Sequence, residues 1–163
     1  MNALILYESV YGNTEQIAQA VATVLAPTFS VGLARADELS RIEAAGVDLL
    51  IVGGPTHRQR ISAALEAVLE ATPRGALKGV QVAAFDTRYR MAAWLAGSAA
   101  RRIARRLCQL GGSLLVPAES FFMERDVPPE GTKRRHEIER LEPGELQRAA
   151  EWAQKVEAAA TAA

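Results

Sequence analysis

The sequence predicts an α/β fold: a three-layer sandwich in which helices cover both faces of a five-stranded parallel sheet. Two observations carry this reading. Short apolar runs alternate with stretches of helical periodicity along the whole chain. One of those runs, Val47-Asp48-Leu49-Leu50-Ile51-Val52, is almost continuously apolar, as a strand buried on both faces must be. Right-handed crossovers would then bring the loops that follow the strands to one edge of the sheet, where open α/β sheets hold ligands.

The elements follow in order. Ala3–Glu8 reads as the first strand. Asn13 to about Ala26 is a helix whose Ile17, Ala18, Val21, Val24 and Leu25 form one stripe, stopped by Pro27. Thr28–Ala34 alternates as a second strand through Phe29, Val31 and Leu33. Asp37-Glu38-Leu39 opens a short helical or irregular connection. Val47–Val52 is the third strand, broken by Gly53-Gly54-Pro55-Thr56. Ser62 caps a helix over Ala63–Ala71 with Leu65, Val68 and Leu69 inward. Val80–Phe85 is the fourth strand, ended by Asp86-Thr87-Arg88. Gly97-Ser98 precedes a helix to about Leu110 with Ala99, Ile103, Leu107 and Leu110 inward, and Gly111-Gly112 caps it. Leu114–Phe122 is the fifth strand, interrupted or ended by Pro117. Residues 123–142 are dense in charge and read as a surface excursion. The last helix starts near Glu142-Pro143-Gly144-Glu145 and carries Leu146, Ala149, Ala150, Trp152, Ala153 and Val156. The tail from Glu157 to Ala163 is expected to fray.

The 163 residues suffice for a single domain, 1–163, with one good core. Nineteen basic and nineteen acidic residues give zero formal net charge, which argues against nucleic-acid binding driven by bulk charge. Arg101, Arg102, Arg105 and Arg106 share one helix, with Arg88 and Arg90 just before it. They read as a solvated face, with a docking face for an acidic partner as the competing reading. Cys108 is the one cysteine, which excludes a disulfide framework, and it is expected to be buried as a small hydrophobe. His57 and His136 are the only histidines, and no metal-ligand cluster is visible. The chain shows no signal-peptide pattern and no apolar run of about 20 residues, so a soluble cytoplasmic protein is expected, with no membrane contact.

The chemistry concentrates after the first strand, in Glu8-Ser9-Val10-Tyr11-Gly12-Asn13-Thr14. A strand that turns directly into a helix N-terminus presents free amides and the positive end of the helix dipole to an anion. Ser9, Tyr11 and Thr14 add hydroxyl donors, and Gly12 permits close backbone approach. The turn carries neither the Lys of a nucleotide triphosphate loop nor the glycine spacing of a dinucleotide loop. A neutral, hydroxyl-rich turn suits a terminal monophosphate. The plainer alternative is an ordinary β–α turn.

These loops resemble those of flavodoxins. Residues 7–14, Tyr-Glu-Ser-Val-Tyr-Gly-Asn-Thr, resemble the family's phosphate loop. Gly53-Gly54-Pro55-Thr56-His57 resembles its second flavin loop, and Phe85-Asp86-Thr87-Arg88 with Gly97-Ser98-Ala99-Ala100 its third. Glu119-Ser120-Phe121-Phe122 and Glu142-Pro143-Gly144-Glu145-Leu146 fall where bacterial members place the last strand and helix. The resemblance implies the strand order 2-1-3-4-5 and a non-covalently bound flavin mononucleotide (FMN). Ser9, Val10, Tyr11, Gly12, Asn13 and Thr14 would enclose the phosphate. Pro55, Thr56, His57 and Arg58 would border one side of the ring, and Asp86, Thr87, Arg88 and Tyr89 the other.

The second loop departs from many flavodoxins in offering His57-Arg58-Gln59-Arg60 where a stacking Trp is usual; Tyr89 or Trp94 would supply the third-loop aromatic. Cations near the ring favour its reduced anion, so a less negative second reduction step is expected than in an acidic flavodoxin. The resemblance implies an electron carrier, monomeric or a weak homodimer, that exchanges electrons with a reductase and an acceptor and needs no catalytic acid, base or nucleophile. A flavin-dependent NAD(P)H:quinone oxidoreductase and a flavin-free interaction module on the same fold are the alternatives.

Overall fold

The computed structural model describes residues 1–56, 60–90, 97–126 and 138–162. The elements are β1 (Asn2–Tyr7), α1 (Asn13–Leu25), β2 (Ser30–Arg35), a single 3-10 turn (Ala36–Glu38), β3 (Leu49–Pro55), α2 (Ala63–Ala71), β4 (Gln81–Tyr89), α3 (Ala99–Gln109), β5 (Ser113–Leu114), β6 (Glu119–Asp126), β7 (Ile138–Leu141) and α4 (Glu145–Ala162). The described strands form one sheet in the order β2-β1-β3-β4-β6-β7, with β5 also pairing β4. The parallel order 2-1-3-4 is the one the resemblance implies. β7 is antiparallel to β6.

The fifth parallel strand is split. β5 pairs with Gln81 and Val82 at the start of β4, and β6 rejoins β4 from Phe85 to Tyr89. Pro117 lies between the two pieces and has no amide to give a ladder. With this split and the added β7, the sheet has seven described strands rather than five.

Three expectations are corrected. The stretch 123–142 begins and ends as paired strand: Met123 to Asp126 lie opposite Leu141 to Ile138, so the charge-dense segment is rooted in the sheet. The tail does not fray at Glu157, because α4 continues to Ala162 with Val156 and Ala160 buried. Cys108 is exposed, because the stripe that faces the sheet is Ile103, Ala104 and Leu107.

Alternate strand residues serve two cores. Ile5, Ile51, Ala83 and Phe85 face α1 and α4. Leu6, Leu50, Val52, Val82 and Ala84 face α2 and α3. The first core centres on Phe85, Phe121 and Trp152, whose rings meet edge to face with centroids 5.9, 5.9 and 6.1 Å apart. Gly53, opposite Phe85 in the ladder, makes room for that cluster: a methyl carbon there would come within 2.1 Å of the Phe85 ring.

Candidate functional site

Parallel pairing brings the carboxyl ends of β1, β3 and β4 together, so the three loops meet as the sequence predicts. The strands run further than their residues suggest. Gly53, Gly54 and Pro55 belong to β3, and Asp86 to Tyr89 belong to β4. Ladder partners on both sides of β4 hold these loop-like residues extended: Thr87 pairs with Pro55 on one side and Phe121 on the other.

A cavity of about 40 Å³ lies at this edge, lined by Ser9, Asn13, Thr14, Thr56, Thr87 and Tyr89 among others. Each wall has a local cause. Gly12 takes the left-handed conformation (φ 86°) that turns the chain from β1 into α1. Asn13 and Thr14 then occupy the first helical turn, where amides have no intrahelical acceptor. Ser9 Oγ accepts from the amide of Glu15 at 3.3 Å. Thr14 Oγ1 and Thr87 Oγ1 are 2.8 Å apart, both side chains being buried. Val10 and Tyr11 stand exposed at the rim.

Strand alternation divides the end of β4. Thr87 and Tyr89 face the cavity, whereas Asp86 and Arg88 face the α3 side. Asp86 is fully buried, and its Oδ2 accepts from Thr56 Oγ1 (2.8 Å), Ser98 Oγ (2.9 Å) and the amide of Ala100 (3.0 Å). The amide of Ala99 donates to Thr56 Oγ1 at 3.1 Å. This carboxylate thus ties the second loop to the start of α3. Its other oxygen faces Arg88 Nε at 3.9 Å, and the Arg88 guanidinium lies over the Phe122 ring, 5.3 Å from its centroid. Asp86 and Arg88 position the site rather than line it. His57, Arg58, Gln59 and Trp94 lie outside the described residues, as does His136.

Three contributors escape a reading of local motifs. Arg35, at the end of β2, donates from Nη2 to the carbonyl of Ser9 at 3.4 Å while paired with Asp37 at 3.0 Å. The turn contains no cation of its own, but its neighbour strand brings one. Met123 and Glu139, from the β6–β7 pair, complete the cavity lining. The carbonyl of Glu139 accepts from Asn13 Nδ2 at 3.1 Å. Burial holds the Tyr89 phenol above its usual pKa; the Glu139 carboxylate adds to this and Arg125, whose guanidinium sits 4.8 Å from the ring centroid, opposes it. The charge density of residues 123–142 was the only local signal that this segment does more than connect.

The residues at the turn fit a phosphate group. The position above Gly12 is open, the amides of Asn13 and Thr14 have no intrahelical acceptor, and the hydroxyls of Ser9 and Thr14 are buried beside them. The described cavity has room for a compact anion, and a larger ligand would extend from it over the rim at Val10 and Tyr11. Among the described residues no cluster of His, Cys, Asp or Glu could hold a metal ion, and no helix is long and apolar enough to cross a membrane.

A family model described as a flavodoxin domain matches residues 4–122. No curated protein sequence is matched. Among solved structures, oxidised flavodoxin 2 from Bacillus cereus superposes with a TM-score of 0.76 at 22% identity, over 96% of this chain and 97% of that one. Oxidised flavodoxin 1 from Bacillus cereus gives 0.76 at 14% identity over 96% and 97%. A WrbA-like flavodoxin from Agrobacterium tumefaciens gives 0.70 at 18% identity over 99% and 98%. At these identities the superpositions establish the fold.

Proposed function

Because the chain belongs to the flavodoxin domain family, we propose that it binds FMN non-covalently at the carboxyl edge of its sheet and works as an electron carrier. The observation that carries this reading is the convergence of the β1–α1 turn, Thr56, Thr87 and Tyr89 on one cavity that abuts a helix N-terminus. The phosphate would be held by the amides and hydroxyls of residues 9–14. Pro55, Thr56, Thr87 and Tyr89 would border the ring, together with His57 and Arg58. Asp86 and Arg88 would hold the second and third loops in register behind it. FMN, when bound, supplies the redox chemistry. The residues of this chain bind it, orient it and set the charge around it.

Electrons would pass between separate reductase and acceptor proteins, and no side chain need act as acid, base or nucleophile. The first experiment is a visible spectrum of the purified protein before and after adding FMN. A flavin spectrum perturbed on binding, with quenched flavin fluorescence and stoichiometric uptake, is expected. A protein that stays colourless and leaves FMN fluorescence unchanged would overturn the reading. Steady-state reduction of a quinone by NAD(P)H without an added reductase would replace the carrier by an oxidoreductase.

A further inference from the structure

Four arginines have no part in the flavin reading, and the fold gathers them on one wall. An open cleft of about 650 Å³ separates α2 from α3. One wall carries Glu66 and Glu70, a turn apart on α2. The other carries Arg101, Arg102, Arg105 and Arg106 on α3, with Ile61 and Leu69 adding apolar lining. Gly97 and Ser98 also line it, and Ser98 Oγ donates to Asp86, so the cleft reaches the loop-bearing edge of the sheet.

The first turn of α3 carries its charge against the helix dipole, although Arg106 in the last turn suits it. Arg101 and Arg102 sit in the first turn, which contains no acidic residue and where the dipole disfavours cations. Arg101 with Arg105 and Arg102 with Arg106 are like-charged pairs four residues apart, an arrangement that destabilises a helix. Among the described residues none of the four forms an ion pair; Arg106 Nη1 donates to Gln109 Oε1 at 3.3 Å. A polyanionic partner would relieve all of these costs together.

We infer that the α2–α3 cleft docks an acidic polypeptide segment of a partner protein, its carboxylates against α3 and any basic edge toward Glu66 and Glu70. A nucleic-acid backbone fits less well: a polypeptide can set basic side chains against Glu66 and Glu70 and apolar ones against Ile61 and Leu69, whereas a phosphodiester strand brings only negative charge to the acidic wall. That the partner exchanges electrons rests on the flavin reading; that the cleft takes an acidic chain does not.

The test uses the full chain and a fluorescent glutamate-rich peptide of about 20 residues with a few interspersed lysines and leucines, followed by anisotropy. Binding is expected in about 25 mM salt and should weaken about tenfold or more by about 200 mM. The double variant Arg101→Glu/Arg105→Glu should weaken it at least about tenfold and Arg101→Gln/Arg105→Gln by an intermediate factor, while Arg74→Glu/Lys155→Glu, outside the cleft, should change it less than about threefold. Circular dichroism confirms that each variant is folded, and the two α3 variants back each other if one is not. No peptide binding, equal binding by the α3 variants, equal loss in the Arg74/Lys155 control, or tighter binding of a single-stranded DNA of similar charge would each overturn the inference. FMN titration of the same proteins keeps the two readings apart. The α3 variants should take up flavin as the parent does, and a parent that binds peptide but no flavin would sink only the electron-transfer role.

Discussion

The hydroxyls of Thr14 and Thr87 meet at 2.8 Å, joining the first turn of α1 to the end of β4 across the carboxyl edge of the sheet. Both side chains are buried, and both line the same cavity. Only one of the two hydroxyls can donate to the other, so the second keeps its proton for a ligand. An anion at the turn would be met by that proton and by the first-turn amides together.

Thr14→Val keeps the shape of the side chain and removes one of the two paired hydroxyls. A hydrogen bond to a charged group contributes roughly 1.5–3 kcal/mol, so FMN affinity should fall about tenfold to a hundredfold. Fluorescence titration reads this directly. Unchanged affinity would mean that the phosphate sits elsewhere.

Asp86→Ala should be among the most damaging changes outside the apolar core. It strands Thr56 Oγ1, Ser98 Oγ and the amide of Ala100, all of which now donate to one carboxylate oxygen, and leaves Arg88 without its counter-charge. A loss of about 3–5 kcal/mol is expected from urea denaturation. A loss below about 1 kcal/mol would show that the buried network relaxes freely.

Gly53→Ala tests the close approach of β3 to the aromatic cluster. The added carbon would lie 2.1 Å from a Phe85 ring that is itself wedged against Phe121 and Trp152. Overpacking of this kind costs roughly 1–3 kcal/mol or more. Because Pro55 and Thr56 follow directly, FMN binding should weaken along with stability. Phe85→Leu in the Gly53→Ala background should recover part of the thermal midpoint if the clash is the cause.

Tyr7 supplies a pH dependence with a definite sign. Burial first, then the Glu15 carboxylate that accepts its phenol at 3.3 Å, raises its pKa above the usual 10.0. A folded-state pKa above the unfolded one means that the native protein holds the proton more tightly. The resulting stability is complete below pH 10 and is lost as pH rises through the raised value. Tyr7→Phe should therefore lose less stability than the parent as the pH rises above 10. Tyr89, shifted in the same direction, leaves a residual slope in the variant.

Periodicity was enough to locate the four helices and the parallel strands, because their buried faces are local patterns. Ile17, Val21 and Leu25, or Ile103 and Leu107, point inward as their spacing requires. The same rule should have placed Cys108, one residue past Leu107 and so about 100° round the helix, on the outer face. Strand ends were harder to read. Gly53-Gly54-Pro55 and Asp86-Thr87-Arg88 have the composition of turns, and only ladder partners distant in sequence keep them extended. Motif reading placed Ser9, Thr14, Thr56, Thr87 and Tyr89 together, and the cavity unites them. It could not distinguish the two faces of β4 while Asp86 and Arg88 were taken for loop, and it had no route to Arg35 or Glu139, whose contributions depend on neighbouring strands.

The contact between Asn13 and Glu139 spans 126 positions of sequence. A ribosome making this protein would release the opening turn early and its facing wall only after β1 to β6. Until β7 has left the exit tunnel, the nascent chain offers only an unfinished recess. The cavity can therefore close only late in synthesis, once the chain from β1 to β7 is free to pair.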